Sequence, residues 1–327
     1  MNQRYIVTRM GLGDQLTTVD LFNGLTEADK IRGESFEYII CYPKMLDCRK
    51  GGYSDFCKQL FCKTYANNSN VRMNWNTGHK TKEWGAGRKM NDLAFTILER
   101  RGTQRHLTEH RYSWEKCSSY LKFKPFPQLI CDDQTYKTNK KYVVLTTRVR
   151  VSGPHITNPN WRLATGFFNY VEPLLNILND KYDEIVVIGE PKVNLWGGKA
   201  QKHGTESFKS DPPFPNLYGT IMKTLEKNPN IKRKIKDLTN PVFNIDNFLS
   251  ENSICRDADK VVCFGHGGNY ARQLYIGSNL SCLMTSPNSG LDHPCTKNLL
   301  RIKETKNHLE NVNIFHEKNI EKFYQSL

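Results

Sequence analysis

The sequence predicts an α/β chain of two parallel-sheet domains in series. Three observations carry this reading. β-branched runs alternate with apolar residues at helical spacing in both halves, a glycine turn twice separates such a run from a helix, and a polar stretch over residues 132–141 divides the halves.

The first run, Tyr5-Ile6-Val7-Thr8, passes through Met10-Gly11-Leu12-Gly13-Asp14 into Leu16 to Leu25, where the apolar spacing is helical. Phe36 to Tyr42 ends at Pro43 and supplies the next strand of a parallel βαβ unit. Between residues 47 and 124 the pattern is weaker: 71–75 is expected to be extended, 93–101 helical, and Gly78, Gly85 and Gly87 mark loops. Residues 132–141 lack apolar periodicity and read as a linker. A strand follows at 142–147, a helix at about 165–180, a strand at 184–188 ending on Gly189, and a long loop to about residue 215. The basic run 231–236 can form a phosphate-binding patch, but such a run is more often a solvated helix face. A helix near 247–256, a strand at 260–264, a glycine turn, a helix near 270–277 and a strand at 280–285 continue the rhythm. The expected domains are 1–135 and 142–315, with residues 316–327 an amphipathic helix packing back on the N-terminal domain.

Composition narrows the function. In 327 residues there are 47 Lys and Arg against 33 Asp and Glu, a formal charge of +14. That field attracts nucleic acid, anionic membrane surfaces or phosphorylated small molecules alike. Charged residues at 24% and aromatics at 11% are ordinary globular values, which argues against a disordered or low-complexity chain. No apolar run reaches the length of a membrane span, and the first residues do not resemble a signal peptide, so a cytoplasmic protein is expected, with a membrane surface as one place where its charge can hold it. The ten cysteines include no CxxC pair and are expected to be reduced thiols.

In an open α/β sheet, ligands sit beyond the carboxyl ends of the strands, where glycine turns bring backbone N–H groups and helix N-termini to an anion. The turn Gly11-Leu12-Gly13-Asp14 lacks the third glycine of the dinucleotide fingerprint, and Pro43-Lys44 stands where a ribose-binding acid is needed, which disfavours NAD or S-adenosylmethionine. Asp14 can serve there as a general base toward a hydroxyl, or it can simply cap the helix. The second turn, Gly265-His266-Gly267-Gly268-Asn269, follows a strand and opens a helix carrying Arg272. Its adjacent glycines suit a diphosphate, with His266 and Arg272 as further donors, or they serve only a tight turn and close helix–sheet packing. Arg148, Arg150 and Arg162 follow the strand that opens the second half and are candidates for bidentate phosphate contact. Glu190, after Gly189, is a candidate acceptor for ribose hydroxyls. No DxD-type pair stands at a strand end, since Asp132-Asp133 lies in the linker, so no metal is expected.

The order of these parts resembles the GT-B nucleotide-sugar glycosyltransferases, most closely the ADP-heptose lipopolysaccharide heptosyltransferase group. The matching segments are Gly11-Leu12-Gly13-Asp14, residues 142–162, Val186-Val187-Ile188-Gly189, and Ala258-Asp259-Lys260-Val261-Val262 through Ala271. Gly265-His266-Gly267-Gly268 departs from the Asp-Thr/Ser-Gly of that group, and Gly11 to Leu16 is similar to the G-L-G-N-Q-L opening of the α-1,2-fucosyltransferases, whose Arg-Arg-Gly-Asp run is absent. The resemblance implies two Rossmann-like domains facing each other across a cleft, the first binding a glycan or glycoconjugate acceptor and the second a nucleoside-diphosphate sugar. It further implies inverting transfer with Asp14 as base, no metal and no nucleic-acid partner. The alternatives are a nucleic-acid-binding protein, on the charge and on Trp75, Trp84 and Trp114 among basic residues, or a non-catalytic nucleotide-binding module.

Overall fold

The computed structural model describes residues 2–7, 12–41, 59–60, 63, 71–74, 95–103, 108–112, 119–133, 136, 138–147, 151–152, 169–189, 195–196, 217–240, 244–264, 267–284 and 294–327. The chain divides into two compact units, Met1–Lys124 with Pro294–Thr305, and Pro125–His293 with Lys306–Leu327.

The first unit is built from β1 (Asn2–Val7), α1 (Leu12–Ile31), β2 (Phe36–Cys41), β3 (Val71–Asn74), β4 (Phe95–Arg100) and β5 (Thr108–Tyr112). Its sheet runs β3-β2-β1-β4-β5. Only β1, β2 and β3 are mutually parallel, whereas β4 lies antiparallel to both β1 and β5. This sheet is therefore mixed rather than parallel throughout. The segment 93–101, expected as a helix, is strand β4, because its period is two: Ile97 and Glu99 are both buried. Glu99 is registered opposite Arg4 of β1 and accepts from its guanidinium at 3.0 Å. Arg4 also pairs with Asp29 of α1, which accepts in turn from Tyr38, and lies 4.0 Å over the Phe36 ring. A buried cation is tolerable here because two carboxylates and a ring satisfy it.

Helix α1 is buried over nearly its whole circumference from Leu16 to Leu25, so its polar groups need partners. Asp20, 2% exposed, accepts from the backbone N–H of Lys122 at 3.1 Å and of Phe123 at 2.9 Å. Phe123 has φ of +52° while its side chain is buried, a left-handed backbone held from outside by that carboxylate.

The second unit contains α2 (Pro127–Ile130), β6 (Tyr142–Thr146), β7 (Val151–Ser152), α3 (Val171–Lys181), β8 (Glu184–Ile188), β9 (Leu195–Trp196), α4 (Leu217–Lys227), α5 (Pro229–Lys232), β10 (Ile235–Asp237), α6 (Ile245–Arg256), β11 (Lys260–Phe264), α7 (Gly267–Ile276) and β12 (Leu280–Met284). Next comes α8 (Pro294–Lys303), which belongs to the first unit, and then β13 (Val312–His316) and α9 (Ile320–Gln325) of the second. The main sheet runs β10-β8-β6-β11-β12-β13 with every neighbouring pair parallel. The four inner strands, β8, β6, β11 and β12, are buried along nearly their whole length, as strands covered on both faces are, whereas the edge strands β10 and β13 are more exposed. On one face Val143, Leu145, Val262 and Phe264 pack with Leu174 and Leu178 of α3, Ile221 and Leu225 of α4, and Phe323 of α9. The alternate residues of β6 turn to the opposite layer, where the Tyr142 hydroxyl donates to the Ile254 carbonyl of α6 at 2.9 Å.

Three expectations about organisation change. The handover between units falls at Lys124–Pro125, not within 132–141. The polar stretch is attached to the second unit: the Tyr136 ring lies tilted against that of Tyr142, 4.9 Å between centroids, sits under Lys236 at 4.5 Å and donates its hydroxyl to Glu184 at 2.6 Å. The C-terminal segment packs on its own unit, with Phe323 fully buried in that core and the Tyr182 hydroxyl donating to the Leu327 carbonyl at 2.7 Å. Finally, the basic run 231–236 is not one helix face: Ile231 and Lys232 close α5, Arg233 and Lys234 form the turn, and Ile235 and Lys236 open β10, while Lys234 donates to the carbonyls of Asn179 and Tyr182 at 2.6 and 3.0 Å, where α3 ends. Among the described residues no helix is long and apolar enough to cross a membrane.

Candidate functional site

In the second unit the chain passes from β6 to β8 on one side, then to β10, and returns to place β11 on the other side of β6. A parallel sheet whose order reverses in this way opens a crevice outside the carboxyl ends of its central strands, here those of β6 and β11.

The end of β6 is locked to β8. Thr147 donates both its N–H and its hydroxyl to the Ile188 carbonyl, at 2.9 and 3.0 Å. Gly189 follows with φ of +104°, a backbone that a side chain would strain, and its carbonyl accepts from the Asn240 N–H at 2.8 Å. The end of β11 leads to α7, which starts at Gly267, three residues past Phe264. A ten-residue helix starting there turns the positive end of its dipole toward the strand ends, together with first-turn amides that the helix itself does not use.

Thr146, the last residue of β6, is 3% exposed, and its hydroxyl has no hydrogen-bond partner among the described residues. It alternates with Tyr142 and Val144 and so belongs to the face covered by α6 and α7. One register step past Val262–Leu145, it stands level with Cys263 of β11. An unsatisfied buried hydroxyl costs about 1–3 kcal/mol. Valine would fill the same space without that cost, so the polar atom at this strand end calls for a partner.

Arg272, expected to reach a phosphate, is committed elsewhere. It is 2% exposed and donates to the Glu251 carboxylate at 3.0 Å, to the Phe248 carbonyl at 3.4 Å and to the Asn252 side chain, with its guanidinium 4.9 Å over the Phe248 ring. All of these partners lie on α6, so Arg272 ties two helices together and is corrected out of the anion-contacting set. Asn252 extends the tie by donating to the Ile130 carbonyl of α2.

The remaining sequence candidates divide as follows. Gly11, Arg148, Arg150, Arg162, Glu190 and His266 lie outside the described residues, and Gly267, Gly268 and Asn269 are described only as the first residues of α7. Gly13 and Asp14 stand in the first turn of α1, where the Gly13 carbonyl accepts from the Thr17 hydroxyl at 2.6 Å.

Three buried cysteines of the second unit are poor candidates for a nucleophile. Burial pushes the Cys255 thiol up to about 12 and the Cys131 thiol to about 11, and a hydrogen bond with Cys282 reinforced by burial raises Cys263. Thiols held protonated are poor nucleophiles and metal ligands. Among the described residues no group of His, Cys, Asp or Glu side chains is gathered to hold a metal ion. Together, these features define the second unit as a Rossmann-like parallel α/β domain with a helix start at its switch point. No protein-family model, curated protein or solved structure matches the chain.

Proposed function

We propose that the second unit binds a nucleoside-diphosphate sugar and that the chain is a metal-independent GT-B-type glycosyltransferase acting on a hydroxyl of a glycan or glycoconjugate. The observation that carries this reading is the strand order β10-β8-β6-β11-β12-β13 with the start of α7 at the reversal. The buried, unpaired Thr146 hydroxyl at the same strand end supports it, because a phosphate oxygen would satisfy it.

In the proposed reaction Asp14 takes the acceptor proton as the hydroxyl oxygen attacks the anomeric carbon. The bond from that carbon to the diphosphate oxygen breaks with inversion, and the diphosphate leaves with the electron pair. Its charge is met by the first-turn amides of α7 and by Arg148, Arg150 and Arg162, preorganised donors doing the work of a metal. Glu190 holds the ribose.

Thermal denaturation of the full chain with ADP, GDP, UDP, CDP and their sugars tests the binding half. A ligand at 100 times its Kd should stabilise the native state by about 2.7 kcal/mol. Absence of any shift across the panel removes the reading. For the chemical half, Asp14→Asn should abolish transfer while leaving the shift intact; turnover near wild type removes Asp14 as the base.

A further inference from the structure

The buried tie between α7 and α6 suggests a role for Arg272 other than the phosphate contact its position in the sequence implies. We propose that Arg272 is a positioning residue that aims the first-turn amides of α7 at the diphosphate, an inference that rests on the donor-binding reading above.

The geometry behind it is specific. A helix start binds an anion only as well as its axis is directed, because the amides and the dipole act over the first turn alone. Helix α7 is anchored by strand packing at its far end, where Leu274, Tyr275 and Ile276 are buried. Near its start, glycine occupies the first two positions, so side-chain packing there contributes little to its direction. Arg272 is the sixth residue of the helix and carries its charged anchor: a rigid planar fork with acceptors on Phe248, Glu251 and Asn252, one turn of α6. Asn252 carries the constraint on to α2 through the Ile130 carbonyl. Three helices are thus held in one arrangement by two side chains, and the guanidinium itself is buried.

Glu251 is 5% exposed, so removing Arg272 alone would leave a buried carboxylate deprived of its cation and endanger folding. The informative variant is therefore the pair Arg272→Met with Glu251→Gln, in which the ion pair is replaced by neutral groups of similar size. In the full chain, with helical circular dichroism and melting temperature measured in parallel, ADP, GDP and UDP are titrated beside adenosine, guanosine and uridine. The expected result is that the preferred diphosphate binds roughly tenfold more weakly, the scale of a lost helix-start interaction, while its nucleoside binds within about twofold of wild type. A general structural lesion would weaken both alike. Arg272→Lys is the second variant, keeping the charge opposite Glu251 but losing the fork, and should show a smaller loss confined to the diphosphate.

Wild-type diphosphate affinity in either folded variant overturns the positioning role and leaves the donor-binding reading standing. Equal losses for nucleoside and diphosphate also overturn it. Failure of the wild-type chain to bind any of the three diphosphates overturns the donor-binding reading itself and this inference with it.

Discussion

Replacing Gly24 by alanine places a methyl carbon 1.9 Å from the Tyr120 carbonyl oxygen and 2.9 Å from its carbonyl carbon, a contact no real side chain makes. Gly24 is in the interior of α1, so helix propensity alone would favour alanine by about 1 kcal/mol. Against that gain stands a backbone, not a flexible side-chain end, and forced overpacking costs about 1–3 kcal/mol. Tyr120 cannot yield in isolation. Two residues later the N–H groups of Lys122 and Phe123 are held by Asp20, one helical turn before Gly24, and each hydrogen bond to a carboxylate is worth about 1.5–3 kcal/mol. Retreat of Tyr120 weakens those bonds and frees Phe123 from its left-handed backbone. Summed, the substitution should destabilise the first unit by about 3 kcal/mol and lower its melting temperature by roughly 10 °C. Differential scanning calorimetry measures this directly. Gly33→Ala is the control: φ is +69° and nothing lies within 4 Å, so only the backbone penalty of about 1–2 kcal/mol applies. A Gly24→Ala protein that melts at or above the wild-type temperature would refute the reasoning, because propensity would then outweigh the contact.

Other expectations follow from the same structure. Thr146→Val should leave stability unchanged or raise it by about 1 kcal/mol, since it removes an unpaired buried hydroxyl, and should weaken diphosphate binding; a clear drop in stability would mean the hydroxyl has a structural partner. Phe323→Ala, at a fully buried ring, should cost about 3–5 kcal/mol and lower the melting of the second unit; a negligible effect would deny the C-terminal helix its place in that core. Stability should fall with alkaline pH. Below pH 9 the Cys131 thiol is protonated in both states; between 9 and about 11 the unfolded chain loses the proton that the folded chain keeps, so unfolding becomes easier across that window. Tyr182, raised by burial to about 12, extends the decline above pH 10, and a flat urea midpoint from pH 9 to 11 would contradict both.

The second unit was the more legible in sequence. Strands at 184–188 and 260–264 begin and end where expected, because strands covered on both faces are continuous apolar runs that need no partner to be recognised. The first unit was less so. In β4 the residue that gives the strand away is Glu99, a charge on the inward face, and it is acceptable only because Arg4 is paired with it from 95 residues earlier in the chain. Long-range charge pairing leaves no local mark. The same holds at the candidate site: Arg272 looks like a phosphate ligand until Glu251, on the preceding helix, is brought against it. Tyr136 hides in a polar stretch that reads as linker because its anchors, Glu184 and Lys236, are on two other strands. By contrast, α4 carried a readable signal in Leu217, Ile221 and Leu225 at helical spacing, and β13 one in the alternation of Val312 and Ile314. Thr146 too stands out in hindsight as the polar residue closing an apolar run.

The membership of residues 294–305 in the first unit has a consequence during biosynthesis. After Lys124 leaves the ribosome, another 169 residues, 125–293, must be made before that helix emerges, a wait of roughly 10–30 s at ordinary elongation rates. The portion translated earliest therefore spends that interval incomplete, and it is the nascent chain's first half, rather than its second, that should depend on chaperones.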